Sequence, residues 1–551
     1  MLNFTYIKNE FIQPLDDKIT LLEKPSKEEV LITNDPRQKA EIYAPEINFY
    51  LKNSQDSILQ KSKLVLKLYE MRLSVYENGL DFENTKEIAN RILIIAKKDE
   101  KRESFLKEAG FKVISLEESE VLSVFGSVGE LCAVLKNEGE EVELDFDILL
   151  YENGERKDFS RQSGCYNLVN FKDEKELLNF LQSKSPNYSF KTFITYNSSV
   201  CQYHERRSEH CAKCAEICPT MAILKDDEER HLEFSQIDCL GCGGCVSVCP
   251  SGSLDYAPMN RDSFFKMLDF VAGSKICIIP KKMPLEHLNL RLGEGVLPFM
   301  IEGEKWLSNL HFLSLLQASG ANLVFYTDFV SRGSAEAIEL LNAVFERKFG
   351  KKAILIASDE KELENALTKL EFIEGLNFSF HNHTQTNREN FAVRLRHLIG
   401  DEDLGVVESG EWLRYGDLRL NVDTCTLCLA CVGACNVGAL VADSKENALK
   451  FNPSLCTTCG YCEASCAEKD TLKLERSGLR LEKSYFDFRT LAKDELFACV
   501  ECGKEFATKK AVEKIASLMR DKFANDEAKL KSLYCCADCK AKVMLGAMMR
   551  T

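Results

Sequence analysis

The stretch Cys239-Leu-Gly-Cys242-Gly-Gly-Cys245-Val-Ser-Val-Cys249-Pro250 carries four cysteines separated by two, two and three residues. The runs Cys425 to Cys435 and Cys456 to Cys466 repeat this spacing without the proline. An incomplete fourth run has Ser208 where the first cysteine would stand, followed by Cys211, Cys214, Cys218 and Pro219. Cysteines spaced by two residues let one turning loop direct three sulfurs at a single metal centre, whereas the fourth sulfur points away.

The four runs form two pairs that repeat the same layout. Positions 218 and 239 are 21 residues apart, and so are positions 435 and 456. This regularity indicates an internal duplication of a module with two metal centres. Both pairs resemble the bacterial two-cluster ferredoxin family, over residues 201–256 and 422–474. The resemblance implies 4Fe-4S clusters in two small α+β modules, and four zinc sites are the less favoured alternative because C-x-x-C-x-x-C is unusual for zinc.

The resemblance also implies crossed ligation, in which the last cysteine of each run binds the neighbouring cluster. It assigns the first cluster to Cys201, Cys211, Cys214 and Cys249, and the second to Cys239, Cys242, Cys245 and Cys218. It assigns the third cluster to Cys425, Cys428, Cys431 and Cys466, and the fourth to Cys456, Cys459, Cys462 and Cys435. We therefore expect four 4Fe-4S clusters in the chain.

Cys201 is the one ligand in this set that the spacing does not specify. It precedes Cys211 by ten positions, so residues between them must loop out if Cys201 is to replace a cysteine at position 208. The alternatives are His210 as the fourth ligand, or a cluster of three irons. All three remain open at this point, with Cys201 favoured.

A second type of cysteine pattern occupies residues 490–551. Cys499-x-x-Cys502-Gly503 and Cys536-x-x-Cys539 flank a predicted helix, from Ala507 to Phe523, and Cys535 is a spare thiol. Two C-x-x-C turns around a helix are typical of one structural zinc ion held by four thiolates, with no position open for catalysis. From residue 501 onward eleven Lys and Arg outnumber seven Asp and Glu, which favours a clip or a docking surface for an acidic partner over nucleic-acid binding.

Outside these motifs the chain predicts a multidomain α/β protein. Residues 1–87 predict a helical or irregular arm with one helix near 54–78. Residues 88–190 and 263–400 alternate short apolar runs with helical patterns, as in parallel, helix-covered sheets. The predicted strands begin near residues 91, 112, 131, 276, 321 and 353, and a helix is predicted from residue 98 to 109. The ferredoxin modules occupy 191–262 and 415–480. His381 and His383 lie in a polar run that we interpret as a solvated linker and not a metal site, because no carboxylate or thiol cluster surrounds them in the sequence.

Composition excludes several classes of protein. The chain has 551 residues, 71 Lys and Arg, 86 Asp and Glu, and a net charge of −15, which argues against a nucleic-acid binder. There is no apolar run long enough for a membrane helix and no secretory leader pattern at the start, so we expect a cytoplasmic protein that is not integral to a membrane. Clustered thiols among 24 cysteines suit metal ligation in a reducing compartment.

The motifs therefore predict an electron-transfer polyferredoxin that serves a partner oxidoreductase. No nucleotide-binding glycine pattern and no catalytic motif is present, so no catalytic residue is assigned and an enzyme is not expected. The whole layout, with the stretches Cys239–Cys245 and Phe497–Thr508, resembles the large iron–sulfur proteins encoded beside proteobacterial formate dehydrogenases. This resemblance implies a link to formate oxidation or to maturation of a molybdenum enzyme. The alternatives are an assembly accessory and an enzyme component with an unrecognised nucleotide site.

Overall fold

The computed structural model describes residues 3–8, 15–137, 140–152 and 156–548. The predicted N-terminal arm and the predicted C-terminal module each include some residues outside these ranges. The chain divides into two compact units. The first comprises Met1–Ser198, Tyr203–Ile338 and Lys352–His383, and the second comprises Ser199–Gln202, Glu339–Lys351 and Thr384–Thr551.

The N-terminal segment of the first unit is a folded layer and not the predicted arm. Its four parallel strands are, in sheet order, Ile19–Leu22, Phe4–Ile7, Val30–Thr33 and Ala40–Tyr43. Helices Pro45–Asn53 and Ile58–Asn78 follow, the second starting at a capping box of Ser57 and Gln60. The predicted helix is confirmed, but the irregular arm is wrong, because strands of four residues leave little periodicity in a sequence.

Long-range contacts make this layer part of the first unit. The Asn53 carbonyl accepts a hydrogen bond from the Leu292 amide at 3.0 Å, and the Asp56 carboxylate accepts one from the Gly295 amide at 2.9 Å. Arg72 is buried and pairs with Glu46, and its Nη1 lies 3.0 Å from Glu302. Most of these partners lie more than 200 positions along the chain, so no local pattern could have indicated them.

The segment 88–190 contains the predicted α/β layer. A parallel sheet has the order Cys165–Asn167, Ile148–Tyr151, Arg91–Ile95 and Lys112–Leu116, with helices Glu100–Glu108 and Glu174–Lys184. The segment also contains an antiparallel sheet of Val121–Ser127, Glu130–Asn137 and Glu140–Phe146. A separate antiparallel pair joins Glu83–Glu87 and Asn187–Lys191. The predicted strands at 91, 112 and 131 and the helix after residue 98 are confirmed.

The first cysteine module follows directly in the same unit. Strands Ile194–Tyr196 and Leu254–Tyr256 pair antiparallel and join its two ends, and Ile223–Asp226 pairs with His231–Phe234 between them. The short helices Lys213–Ile217 and Gly244–Val248 carry Cys214 and Cys245.

A second parallel sheet completes the first unit. Its order is Val296–Ile301, Lys275–Pro280, Leu323–Tyr326 and Ile354–Ala357. The helices of this region are Arg261–Val271, Asn309–Ser319, Arg332–Phe349 and Glu360–Leu367, and the division between the units passes through the third of them. The strands predicted at 276, 321 and 353 are confirmed.

The second unit repeats the module topology. After helix Asn387–Ile399, strand Asp417–Leu420 pairs with Leu472–Glu475. Strand Ala448–Phe451 pairs with Leu440–Asp443 on one side and with Arg489–Lys493 on the other. Val406–Val407 pairs with Leu479–Arg480, and the short helices are Ala430–Gly433 and Tyr461–Ala464. The C-terminal part has the hairpin Leu496–Ala498 with Glu505–Thr508, then helices Lys509–Arg520, Glu527–Ser532 and Ala537–Met548.

Candidate functional site

Three cysteines of the complete run in the first module line one pocket together with a cysteine of the incomplete run. Cys218, Cys239, Cys242 and Cys245 line it together with Ile194, Ile217, Ile223 and Phe234. Burial and, to a smaller extent, the neighbouring Cys242 and Cys218 thiols raise the pKa of the Cys239 thiol to about 11. Burial and neighbouring thiols likewise raise the pKa of Cys245. These are the four residues that the resemblance assigns to the second cluster.

The third predicted set is also gathered in a pocket. Cys425, Cys428, Cys431 and Cys466 line it, with walls formed by Leu420, Leu427, Leu449 and Leu472. Burial and, to a smaller extent, the thiols of Cys425, Cys428 and Cys466 raise the pKa of Cys431 to about 12. Cys428 is exposed at the rim, so this site reaches the surface of its unit.

The cysteines of the fourth set are electrostatic neighbours of one another. Burial raises the pKa of Cys456 to about 12, with Cys459 and Cys435 as the charged neighbours. Cys462 also has a raised pKa, caused by burial and by Cys456, Cys459 and Cys435. The crossing of Cys435 and Cys466 between the two runs of the second module follows the pattern of the ferredoxin family.

The donor set at these sites fits an iron–sulfur cluster. Thiols held at close range repel one another once ionised, which adds to the effect of burial in the raised pKa values above. Soft thiolates in such a set are stabilised by binding a metal centre that neutralises their charge. The identity of each ligand remains a prediction.

Three of the runs share a backbone feature that the sequence analysis did not detect. The residue before the second cysteine and the residue after it both have positive φ: Gly241 and Gly243 at 66° and 76°, Leu427 and Leu429 at 52° and 60°, Thr458 and Gly460 at 54° and 83°. The first residue of each pair donates its backbone N–H to the first cysteine sulfur; the Thr458 N to Cys456 Sγ distance is 3.4 Å. Such N–H donors stabilise thiolates and tune a cluster's reduction potential.

Close packing explains why glycine occupies two of these positions. A Cβ on Gly241 would lie 2.7 Å from the Phe193 ring, and a Cβ on Gly243 would lie 2.5 Å from Cβ of Trp306. The Tyr256 hydroxyl donates to the Gly241 carbonyl at 2.8 Å. The loop is therefore held against an aromatic wall as well as by its cysteines.

The incomplete run differs from the other three. Residues 208–214 are all described, and none of them has positive φ. Ser208 Oγ and His210 Nε2 are 3.0 Å apart. Cys214 is near enough to Cys245 to raise its pKa, which places the first and second predicted sites side by side.

Cys201 belongs to the second unit, whereas Cys211, Cys214 and Cys249 belong to the first. Cys201 is buried, and its carbonyl accepts a hydrogen bond from Asn436 Nδ2 at 3.0 Å. The adjacent Gln202 bonds to Asn436 and Thr457, which directly follow Cys435 and Cys456. Cys201 as the fourth ligand of the first cluster stays a prediction.

The C-terminal thiols form a separate tetrad. The Sγ atoms of Cys499, Cys502, Cys536 and Cys539 all lie within 4.8 Å of one another. Burial would raise the pKa of Cys499, but backbone N–H groups of Cys536, Glu501 and Cys502 bond to its sulfur and lower the pKa to about 6. Four converging thiols, one of which accepts backbone hydrogen bonds that favour its thiolate form, suit a tetrahedral zinc ion. Cys535 is outside the tetrad and donates to the Lys531 carbonyl at 3.3 Å.

The tetrad module contacts the third cysteine site. The Thr508 hydroxyl donates to the Thr426 carbonyl at 2.9 Å, and Lys510 Nζ donates to the Val422 carbonyl at 2.6 Å. Thr426 lies between Cys425 and Cys428, so the end of the chain packs directly on a ligand loop.

Within the described residues, no helix combines the length and apolar character that a bilayer crossing requires.

Comparisons with known proteins identify the two modules. Residues 207–253 and residues 417–467 each match a family described as a 4Fe-4S dicluster domain. The predicted ferredoxin-type domains and their 4Fe-4S clusters are therefore confirmed at the level of the family. Neither match tests the zinc ion.

Several curated proteins are similar to this chain over a stretch of roughly the size of two modules or less, between 15% and 18% of the chain. An uncharacterized ferredoxin-like protein, YdhX of Escherichia coli, is 31% identical over 87 residues, which are 15% of this chain and 38% of that protein. Hydrogenase-4 component A of Escherichia coli is 30% identical over 16% of this chain and 42% of that protein. A tetrathionate reductase component of Archaeoglobus fulgidus is 26% identical over 18% of this chain and 49% of that protein. The chain thus spans less than half the length of each of these relatives.

Proposed function

We propose that the protein is a polyferredoxin that transfers single electrons to or from a partner oxidoreductase. The observation that carries this proposal is the grouping of twelve motif cysteines into three sets of four thiols within two dicluster domains. A 4Fe-4S cluster held by four thiolates has no open iron position for a substrate and exchanges one electron at a time.

The protein's own residues would set the properties of these sites. The leucines around Cys425 and Cys431 exclude water, and the N–H donors of Gly241, Leu427 and Thr458 stabilise one thiolate in each complete run. Burial and hydrogen bonds to sulfur both change the reduction potential of a cluster. Cys431 is also an electrostatic neighbour of Cys462, which supports electron exchange between adjacent sites within the second module.

Two surfaces support close approach of a partner. Leu240, between two cysteines of the second site, is 69% exposed, and Cys428 is exposed at the third site. An exposed apolar side chain beside a redox centre suits a transient docking patch. The basic C-terminal module, which packs on the third site, would attract an acidic partner to that end of the electron path.

The partner we propose is a formate dehydrogenase of the molybdenum class, in the cytoplasm. Two relatives are named as parts of redox enzymes, one of hydrogenase-4 and the other of a tetrathionate reductase. The choice of formate dehydrogenase rests on the resemblance of the whole layout. A reducing compartment is supported by the 24 cysteines, none of which forms a disulfide.

We also propose that the C-terminal tetrad holds one zinc ion with a structural role. The closed set of four thiols leaves no position for a substrate. The ion would fix the hairpin Leu496–Ala498 with Glu505–Thr508 to the start of helix Ala537–Met548.

Reconstitution with a formate dehydrogenase tests electron transfer. The purified enzyme is assayed with formate and a dye acceptor that reacts poorly with the enzyme alone, and the protein is added anaerobically. We expect a rate that rises with its concentration, and no such rise with a Cys428→Ala, Cys459→Ala double variant that lacks second-module clusters.

A maturation accessory is the second candidate, favoured by the basic C-terminal surface. The same assay separates the two functions. An accessory would raise the activity of apo-enzyme before turnover, and that gain would persist after the protein is removed. Persistence after removal would overturn the proposal of electron transfer in turnover.

A further inference from the structure

A polar cluster outside the cysteine sites lies within the first unit. It joins Asp262, in the first turn of helix Arg261–Val271, to His381 and His383 in an irregular segment. Asp262 Oδ1 is 2.6 Å from His383 Nδ1 and 3.8 Å from His381 Nε2, and the two ring nitrogens are 3.2 Å apart. Three donor atoms from distant parts of the sequence therefore converge. Asp262 is 121 positions from His383 in the chain, so the local sequence, which predicted a solvated linker, did not indicate this carboxylate.

The spacing of the three atoms is close to that of ligands around one small cation. Zinc–nitrogen and zinc–oxygen bonds of about 2.0–2.1 Å place neighbouring ligands roughly 2.9–3.4 Å apart in octahedral or tetrahedral geometry. Of the three observed separations, 3.2 Å lies inside this range, 2.6 Å lies below it and 3.8 Å lies above it. Small movements, within the reach of side-chain rotation, would bring all three separations into it.

The surroundings hold one ligand firmly and leave the others accessible. The ring of Phe265 stacks on His381, with centroids 3.5 Å apart and an interplanar angle of 17°. Phe265 is three residues after Asp262, so both lie on the same face of the helix. The His381 side chain is 12% exposed, whereas His383 and Asp262 are 61% and 58% exposed. An ion could enter from solvent without opening the fold.

We propose that Asp262, His381 and His383 form a binding site for a divalent first-row transition metal ion of the zinc, cobalt or nickel class. Two imidazole nitrogens and one carboxylate oxygen favour these ions over magnesium or calcium, which prefer oxygen ligands alone. Three protein ligands leave at least one position for water or an exogenous ligand, unlike the closed thiol sets. The site is independent of the iron–sulfur clusters in both ligand type and location in the sequence.

Metal binding to the full-length protein, with its clusters loaded, is the test. Protein dialysed anaerobically against a mild chelator is titrated with Zn²⁺, and zinc and iron are measured after gel filtration. We expect wild type to bind one zinc ion more than a variant with His381→Ala and His383→Ala. Each single variant, including Asp262→Asn, should bind that ion at least about tenfold more weakly, since even the loss of a partner behind a ligand commonly has this effect.

Matched controls distinguish the site from general surface binding. Asp269→Asn changes an exposed aspartate on the same helix, and His287→Ala removes an exposed histidine outside the cluster. Both should bind zinc like wild type. Iron content and the visible spectrum should stay constant in every variant, and a variant that loses iron is replaced by His383→Gln, which keeps the polarity and much of the size of the side chain.

X-ray absorption spectroscopy at the nickel edge provides a second readout. Ni²⁺ added to protein whose cysteine sites are filled should have only nitrogen and oxygen neighbours, with the scattering pattern of imidazole. Sulfur neighbours would overturn the assignment. Equal zinc stoichiometry and affinity in wild type and in the double histidine variant would also overturn it and leave only a hydrogen-bonded cluster.

Discussion

At the scale of single residues, backbone conformation decides how a cysteine run folds around a centre. The loops of the three complete runs each carry two left-handed residues around the second cysteine. Glycine adopts this conformation without strain, whereas it costs leucine and threonine about 1–2 kcal/mol. That Leu427, Leu429 and Thr458 keep it indicates that the loop geometry is dictated by the surrounding contacts and not by local preference.

The adjacent glycines of the second site allow a controlled test. Gly243→Ala should lower the stability of the first unit by about 2 kcal/mol or more, because it adds left-handed strain to a clash with Trp306. Gly244→Ala is the control: its nearest atoms would be 3.8 Å away, and helix propensity favours alanine by up to about 1 kcal/mol. Denaturation followed by loss of cluster absorption measures both. Equal midpoints for the two variants would contradict this reasoning.

Cys201→Ala tests the weakest ligand assignment. If Cys201 completes the first cluster, the variant should lose one iron or one whole cluster while the other three spectra stay intact. Iron analysis with low-temperature EPR is the measurement. A wild-type spectrum and iron content would exclude Cys201 and leave His210 or solvent as the ligand. Ser208→Cys in the Cys201→Ala background restores the regular spacing and serves as the rescue variant.

At the scale of elements, the C-terminal tetrad links a hairpin to a helix. Cys499 and Cys502 come from the turn of the hairpin, whereas Cys536 and Cys539 lie at the start of helix Ala537–Met548. Such a small module buries little apolar surface, so a bound metal ion would contribute much of its folding free energy. The same module donates the hydrogen bond from Thr508 to the loop of the third site.

Cys536→Ser and Cys535→Ser form a matched pair for this element. Cys536→Ser should remove about one zinc ion per chain, because a tetrahedral site needs all four ligands. Cys535→Ser should keep the zinc, since its sulfur lies outside the tetrad. Elemental analysis of the full-length proteins measures both, with iron content as the internal reference. If only Cys535→Ser lost the zinc, Cys535 would be the ligand and Cys536 the spare thiol.

At the scale of the whole molecule, two dicluster modules should act as pairs of neighbouring centres. We expect about sixteen irons per chain after anaerobic reconstitution, four for each predicted 4Fe-4S cluster. Spin–spin coupling should appear within each pair on reduction, because Cys214 adjoins Cys245 and Cys431 adjoins Cys462. About eight irons in intact protein would mean that one module does not hold its clusters.

The amino-acid sequence by itself was sufficient for the features that depend on local spacing. Two residues between cysteines are enough to bring three sulfurs to one side of a loop, so the cluster motifs and their duplication were recognised without any structure. The apolar runs near residues 91, 276 and 353 likewise predicted buried strands, because a strand covered on both faces must be apolar throughout.

Only the tertiary structure decided the contacts between distant residues. The N-terminal layer is joined to the rest of its unit by hydrogen bonds to Leu292 and Gly295, and the Asp262–His383 pair spans 121 positions. The left-handed conformation of Leu429 and the choice of Cys536 over Cys535 in the tetrad are likewise properties of packing. No periodicity encodes these features, because they arise when the folded chain brings together side chains that carry no local signal of each other.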